Sequence, residues 1–81
     1  MERRPSMMTL VMQASHKLGQ NSRQWSNLLA FLQSCYAGRV RRFDFDAAMT
    51  AMARLSDEEQ HAVIAWVMVV EEERMAGPEV A

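Results

Sequence analysis

The chain has 81 residues, a net charge of −1 and a single cysteine, Cys35, so it cannot close an internal disulfide. Its longest apolar run, Ala62 to Val70, is nine residues against the roughly 20 that span a membrane. His16, Cys35 and His61 do not have the spacing of a zinc site. A chain this short hides only about 60–65% of its unfolded surface. With disulfides and metal set aside, self-association is the remaining way to complete a thin core.

The N-terminal stretch MERRPSMMTLVMQASHK places basic residues ahead of an apolar patch. The patch is short, interrupted by Thr9 and followed by no small-residue cleavage site, so it does not read as a signal peptide. An unpaired thiol fits a reducing compartment, and the expected location is cytoplasmic.

A first helix is expected over 6–18, with Ser6 accepting from the free first-turn amides. Met7, Val11, Ala14 and Leu18 form its inner stripe, and Gly19 supplies a left-handed stop. A second is expected over 22–37, where Trp25, Leu28, Leu29, Leu32, Cys35 and Tyr36 recur at three and four. Arg23, Ser26, Asn27, Ala30, Gln33 and Ser34 then lie outward, and Gly38 ends the helix. A short third helix is expected over 46–54, capped by Asp44 or Asp46, with Met49, Met52 and Leu55 inward. The fourth, over 57–75, opens on a capping box in which Ser56 and Glu59 satisfy each other's amides, and Gly77 and Pro78 close it. These elements predict an all-α fold: a compact bundle of about four helices in one domain, 1–77, with a flexible tail at 78–81.

The fourth helix carries an interface signal. Nine successive apolar residues cover every side of a helix, and a helix apolar all round is buried all round. Three short partners hardly enclose it, so surface around Trp66 and Val70 is expected to remain as a patch of the kind that marks an interface. The expected assembly is a homodimer through 57–75; the alternative is a monomer with this helix at its centre.

No catalytic constellation is visible, and the chain reads as a non-enzyme without cofactor or metal. Cys35 falls on an inner stripe and reads as a buried, inert thiol. His16 sits near a helix C-terminus, where partial positive charge is favourable. The eight methionines read as core filler, as at Met49 and Met52. The run Glu71–Glu73 reads as a solubilising helix exit, with Glu71 able to pair with Arg74.

Charge is segregated. Residues 1–42 hold seven Lys/Arg and one acid, a net +6; residues 43–81 hold two arginines and nine acids, a net −7. Such asymmetry suggests a nucleic-acid or acidic partner for the basic half unless the two halves neutralise each other. Arg39, Arg41 and Arg42 sit at the switch point, in GRVRRFDFD, where Gly38 stops one helix and the aspartates start the next.

The stretch ASHKLGQNSRQWSNLL, residues 14–29, resembles the helix-turn-helix of bacterial DNA-binding regulators. Ala14 and Ser15 allow close crossing, Leu18 and Gly19 form the turn, and Trp25 and Leu28 seat the second helix. Gln20 departs from the usual apolar residue after the glycine. The resemblance implies that Asn21, Ser22, Arg23, Ser26 and Asn27 face the bases, with Arg41 and Arg42 on phosphates. More of the chain resembles a family of small uncharacterised helical proteins encoded on proteobacterial plasmids and integrated elements. Gly19, Gln20, Ser22, Arg23, Leu28, Leu29, Ala30, Phe43 and Asp44 match its pattern, and Asn21 is an extra residue. That resemblance implies a setting, a mobile-element accessory protein, and no transferable activity.

Two functions follow as expectations. The first is a dimeric protein-interaction module that binds a host or element-encoded protein through Arg39, Arg41, Arg42, Trp66 and Val70, inhibiting a complex as small phage anti-CRISPR proteins do. The alternative is a helix-turn-helix DNA-binding regulator. A regulator keeps Asn21, Ser22, Arg23 and Asn27 free of internal acidic partners; acids covering them favour the interaction module.

Overall fold

In the computed structural model, which describes residues 5–38 and 42–76, each helix begins at a polar residue that the sequence sets in front of it. Ser6 Oγ accepts from the Thr9 amide at 3.1 Å and Ser22 Oγ from the Trp25 amide at 3.0 Å. Asp44 Oδ1 accepts from the Ala47 amide at 3.1 Å, which decides between the two candidate caps. Ser56 Oγ accepts from the Glu59 amide at 3.1 Å, while Glu59 Oε1 accepts from the Ser56 amide at 2.9 Å, closing the box. The helices are α1 (Met7–Leu18), α2 (Arg23–Ala37), α3 (Phe45–Ala53) and α4 (Asp57–Ala76). No strand occurs among the described residues. Gly77, the expected tail at 78–81, Arg39 and Arg41 lie outside them.

Gly38 stops α2 in the left-handed region, φ 69° and ψ 13°, and its amide returns to the Ser34 carbonyl. Gly19 has φ 93° and donates to the Ser15 carbonyl at 2.7 Å. A Cβ at Gly19 would stand 3.3 Å from Ser22 Cβ, so the α1–α2 turn requires glycine for both conformation and space.

α1 packs along α4 and α2 along α3, with α2 also against α4. The core joins Val11, Ala14 and Leu18 of α1 to Trp25, Leu28 and Leu32 of α2, then to Ala51, Leu55, Ala62, Val63 and Val67. Trp25 and Trp66 stack across α2 and α4 with centroids 6.3 Å apart and planes at 16°.

Several side chains stand elsewhere than the stripes predict. Ala30, expected outward, is buried, because Asp44 and Arg42 come back over that side of α2. Cys35, expected buried, is exposed at the end of α2, where a groove of about 240 Å³ opens between Leu32, Tyr36, Ile64 and Met68. Of the residues expected inward on α3, Leu55 is buried in the core and Met52 packs half-buried against it, while the fully buried positions of the helix are Ala48 and Ala51, whose small side chains let α3 lie close on α2. None of the described methionines is buried; Met8, Met12, Met68 and Met75 are exposed.

α4 is not enclosed. Its buried residues, Glu59, Ala62, Val63, Val67 and Glu71, follow one stripe. The molecule is only 19 Å along its shortest axis, about two helix diameters, and in so thin a body a helix keeps one side to solvent. Met68 and Val69 lie on that side at 39% and 43% exposure.

Candidate functional site

The α2–α3 corner gathers most of the residues singled out from the sequence. Asp44 organises it. One carboxylate oxygen caps α3; the other receives Arg23 Nη2 at 2.7 Å. Its amide donates to Asn27 Oδ1 at 2.6 Å, and Asn27 Nδ2 donates to the Arg23 carbonyl at 2.7 Å. The Arg23 guanidinium, then the Ala47 amide, hold the Asp44 carboxyl below its ordinary range, so it stays anionic at neutral pH. Of the five residues aligned with base reading, Ser22 caps α2, and Arg23 and Asn27 are bonded to Asp44, Arg23 with 73% of its side chain still exposed; Asn21 and Ser26 are exposed.

Arg42 differs from Arg23. It is exposed and makes no hydrogen bond or ion pair with any described residue. It borders a cleft of about 780 Å³ lined by Arg23, Asn27, Phe43, Asp44 and Phe45, and a smaller one of about 300 Å³ floored by Ser26, Asn27, Ala30 and Gln33. Phe43 and Phe45 both meet Phe31 edge-on with centroids 5.7 Å away, the favourable arrangement for ring quadrupoles. The two phenylalanines pin the joint, but Phe45 remains 55% exposed.

The residues proposed for the α4 interface separate. Trp66 and Val70 are half-buried, Trp66 against Trp25; the exposed large apolar side chains of α4 are Met68, Val69 and Met75. On the outward side of α1, Thr9, Met12, Gln13 and His16 border an open groove of about 730 Å³ that ends at Lys17 and Glu59.

The α3–α4 corner is fully committed internally. Lys17 Nζ reaches Glu59 Oε1 at 2.6 Å. Arg54 donates to Gln24 Oε1 and the Lys17 carbonyl, and Gln60 to the Met52 and Leu55 carbonyls. Burial pushes the Glu59 carboxyl up, but the bonds from Lys17 and the Ser56 amide outweigh it, and its pKa lies below the ordinary value. The sequence reading found the box but not Lys17; nothing in local spacing connects residues 42 positions apart.

Glu71, expected on the exposed acidic exit, is 1% exposed, because it continues the Val63–Val67 stripe by one turn. Its Oε2 lies 3.9 Å from Arg74 Nε, and its Oε1 has no hydrogen-bond partner. The Tyr36 hydroxyl donates to Glu72 Oε2 at 2.8 Å, and that bond raises the phenol pKa.

Among the described residues no group of His, Cys, Asp and Glu is placed to hold a metal ion, and no helix is long and apolar enough to cross a membrane. Comparison of the chain with protein-family models, with curated proteins and with solved structures finds no match in any of the three.

Proposed function

We propose that the chain is a small non-enzymatic protein-interaction module, a mobile-element or phage accessory protein. In this reading it pairs with itself through α4 and binds, and inhibits, a host or element-encoded protein complex in the cytoplasm. One observation carries the choice: Asp44 holds Arg23 and Asn27, the central side chains of the candidate base-reading face. A DNA-reading helix needs such groups free for base edges and phosphates. The side chains left over are of a different kind: exposed Met8, Met12, Met68, Val69 and Met75, adaptable apolar contacts, and the unpartnered Arg42. The self-pairing surface shifts accordingly from Trp66 and Val70 to Met68 and Val69.

Light scattering at roughly tens of micromolar, alongside a DNA gel shift at low salt, tests the reading against its alternative. A dimer that Val69→Asp converts to monomer, with no DNA shift, is expected; a monomeric wild type removes the self-pairing. A salt-sensitive shift lost on Arg23→Ala, and weakened on Arg41→Ala or Arg42→Ala, would establish the helix-turn-helix regulator instead.

A further inference from the structure

Every other described arginine has a neighbour to answer its charge or its donors. Arg23 has Asp44, Arg54 has Gln24 and the Lys17 carbonyl, and Arg74 has Glu71 at 3.9 Å. Arg42 has none among the described residues, although it stands two residues from Asp44 in the sequence. The reason is local. Asp44 is committed to Arg23 through one oxygen and to the Ala47 amide through the other, and it makes no ion pair with Arg42. On the rim of the same cleft as Arg42 stands Phe45, with its ring fixed edge-on to Phe31 and more than half its surface in water. A fixed, exposed ring next to a free guanidinium offers two kinds of contact at once.

We propose that this corner is a carboxylate-binding subsite, in which Arg42 receives an Asp or Glu side chain of a partner protein and an adjacent apolar side chain lies on Phe45. It rests on the interaction-module reading and names the chemistry of the partner. The guanidinium fork matches a carboxylate in two parallel hydrogen bonds. Charge complementarity favours an acidic side chain, since Arg42 is the described arginine that no acid or acceptor of the described fold answers. A nucleic acid fits less well. A strand needs successive cations to follow its phosphates. The described rim supplies one free guanidinium, with Asp44 in the cleft and Asp46 exposed two residues on. A single carboxylate can approach Arg42 while avoiding both acids; a charge at every residue cannot.

The test is a nuclear magnetic resonance titration of the full chain with a short peptide, Gly-Ser-Asp-Phe-Asp-Ser-Gly, its Asn-Phe-Asn counterpart, and an oligothymidylate of equal length. The acidic peptide is expected to move the Arg42 Nε–H and the Phe45 and Asn27 amide signals. Replacing its aspartates by asparagine, or Arg42→Gln in the protein, is expected to weaken binding about tenfold or more, the worth of a charge-assisted hydrogen bond. Phe45→Ala is expected to weaken it severalfold. Arg42 is exposed and unpartnered, so Arg42→Gln leaves the fold intact, and the same spectra verify that. Equal binding of the two peptides, absence of binding up to millimolar peptide, or stronger effects from the oligothymidylate would overturn the proposal. So would concentration-dependent shifts at Arg42 without peptide, which would assign the corner to a second copy of the chain. If such a failure comes with the α4 dimer intact and no DNA shift, only the subsite falls and the interaction reading stands.

Discussion

At the α3–α4 corner, Glu59 takes bonds from Ser56 and Lys17, while Arg54 and Gln60 tie the preceding turn to α1, α2 and α3. At the α2–α3 corner, Asp44 plays the corresponding part toward Ala47 and Arg23, yet Arg42 has no partner among the described residues, and Phe45, held by Phe31 on one edge, keeps more than half its surface in water. Both corners use one acid to cap a helix and hold a distant cation. They differ in what is left over. The first leaves no unpartnered cation and one buried carboxylate, whereas the second leaves a guanidinium and a ring. A polar group whose donors and acceptors are all used within its own chain must lose a bond before it can serve a partner. The contrast separates a structural corner from a functional one.

The contrast can be broken most sharply at Glu59. Glu59→Ala removes the box and leaves the Ser56 amide without its acceptor; urea unfolding is expected to show a loss of about 2 kcal/mol. Lys17 is partly exposed and rehydrates, which keeps the cost below that of a fully buried pair. Acid titration sharpens the same point. The folded Glu59 carboxyl lies below its unfolded value, so its contribution is complete above the unfolded carboxylate range and is lost as pH falls through the folded value. The stability difference between wild type and Glu59→Gln should therefore shrink on acidification, followed by thermal melts at stepped pH. Asp44→Asn comes next. Asparagine still caps a helix, and the Arg23 partner is largely solvated, so the unfolding midpoint should move less than for Glu59→Ala. An equal shift would erase the distinction between the corners. Smallest of all, Arg42→Gln should change stability by about 0.5 kcal/mol or less in the same measurement, because no hydrogen bond or ion pair to a described residue is lost.

Short-range signals were readable in the sequence. Ser6, Ser22, Ser56 and both described glycines declared the helix ends, because capping is a matter of three or four residues. The stripes of α1 and α2 were also legible through Val11, Ala14, Leu18, Trp25, Leu28 and Leu32. What escaped depends on who packs against whom. Ala30 is buried where the joint returns to the outward side of α2, and Cys35 is exposed at a groove between α2 and α4; both are tertiary outcomes with no periodicity. α4 looked destined for full burial, but composition around one helix does not count the neighbours available to cover it. At the candidate site, the arginine cluster was visible. That Asp44 would take Arg23 and spare Arg42 was not, since both lay within reach of the same acid in a one-dimensional reading.

The stacking of Trp25 on Trp66 has an optical consequence. These are the chain's two tryptophans, so its whole indole emission and the near-ultraviolet coupling of the pair originate at one α2–α4 contact. Quenching or spectral change would register separation of those helices, or a partner settling beside Trp66 on α4. A ligand at Arg42 would leave the signal dark. The molecule thus carries a built-in lamp over its scaffold, and its proposed binding corner stands in the shade.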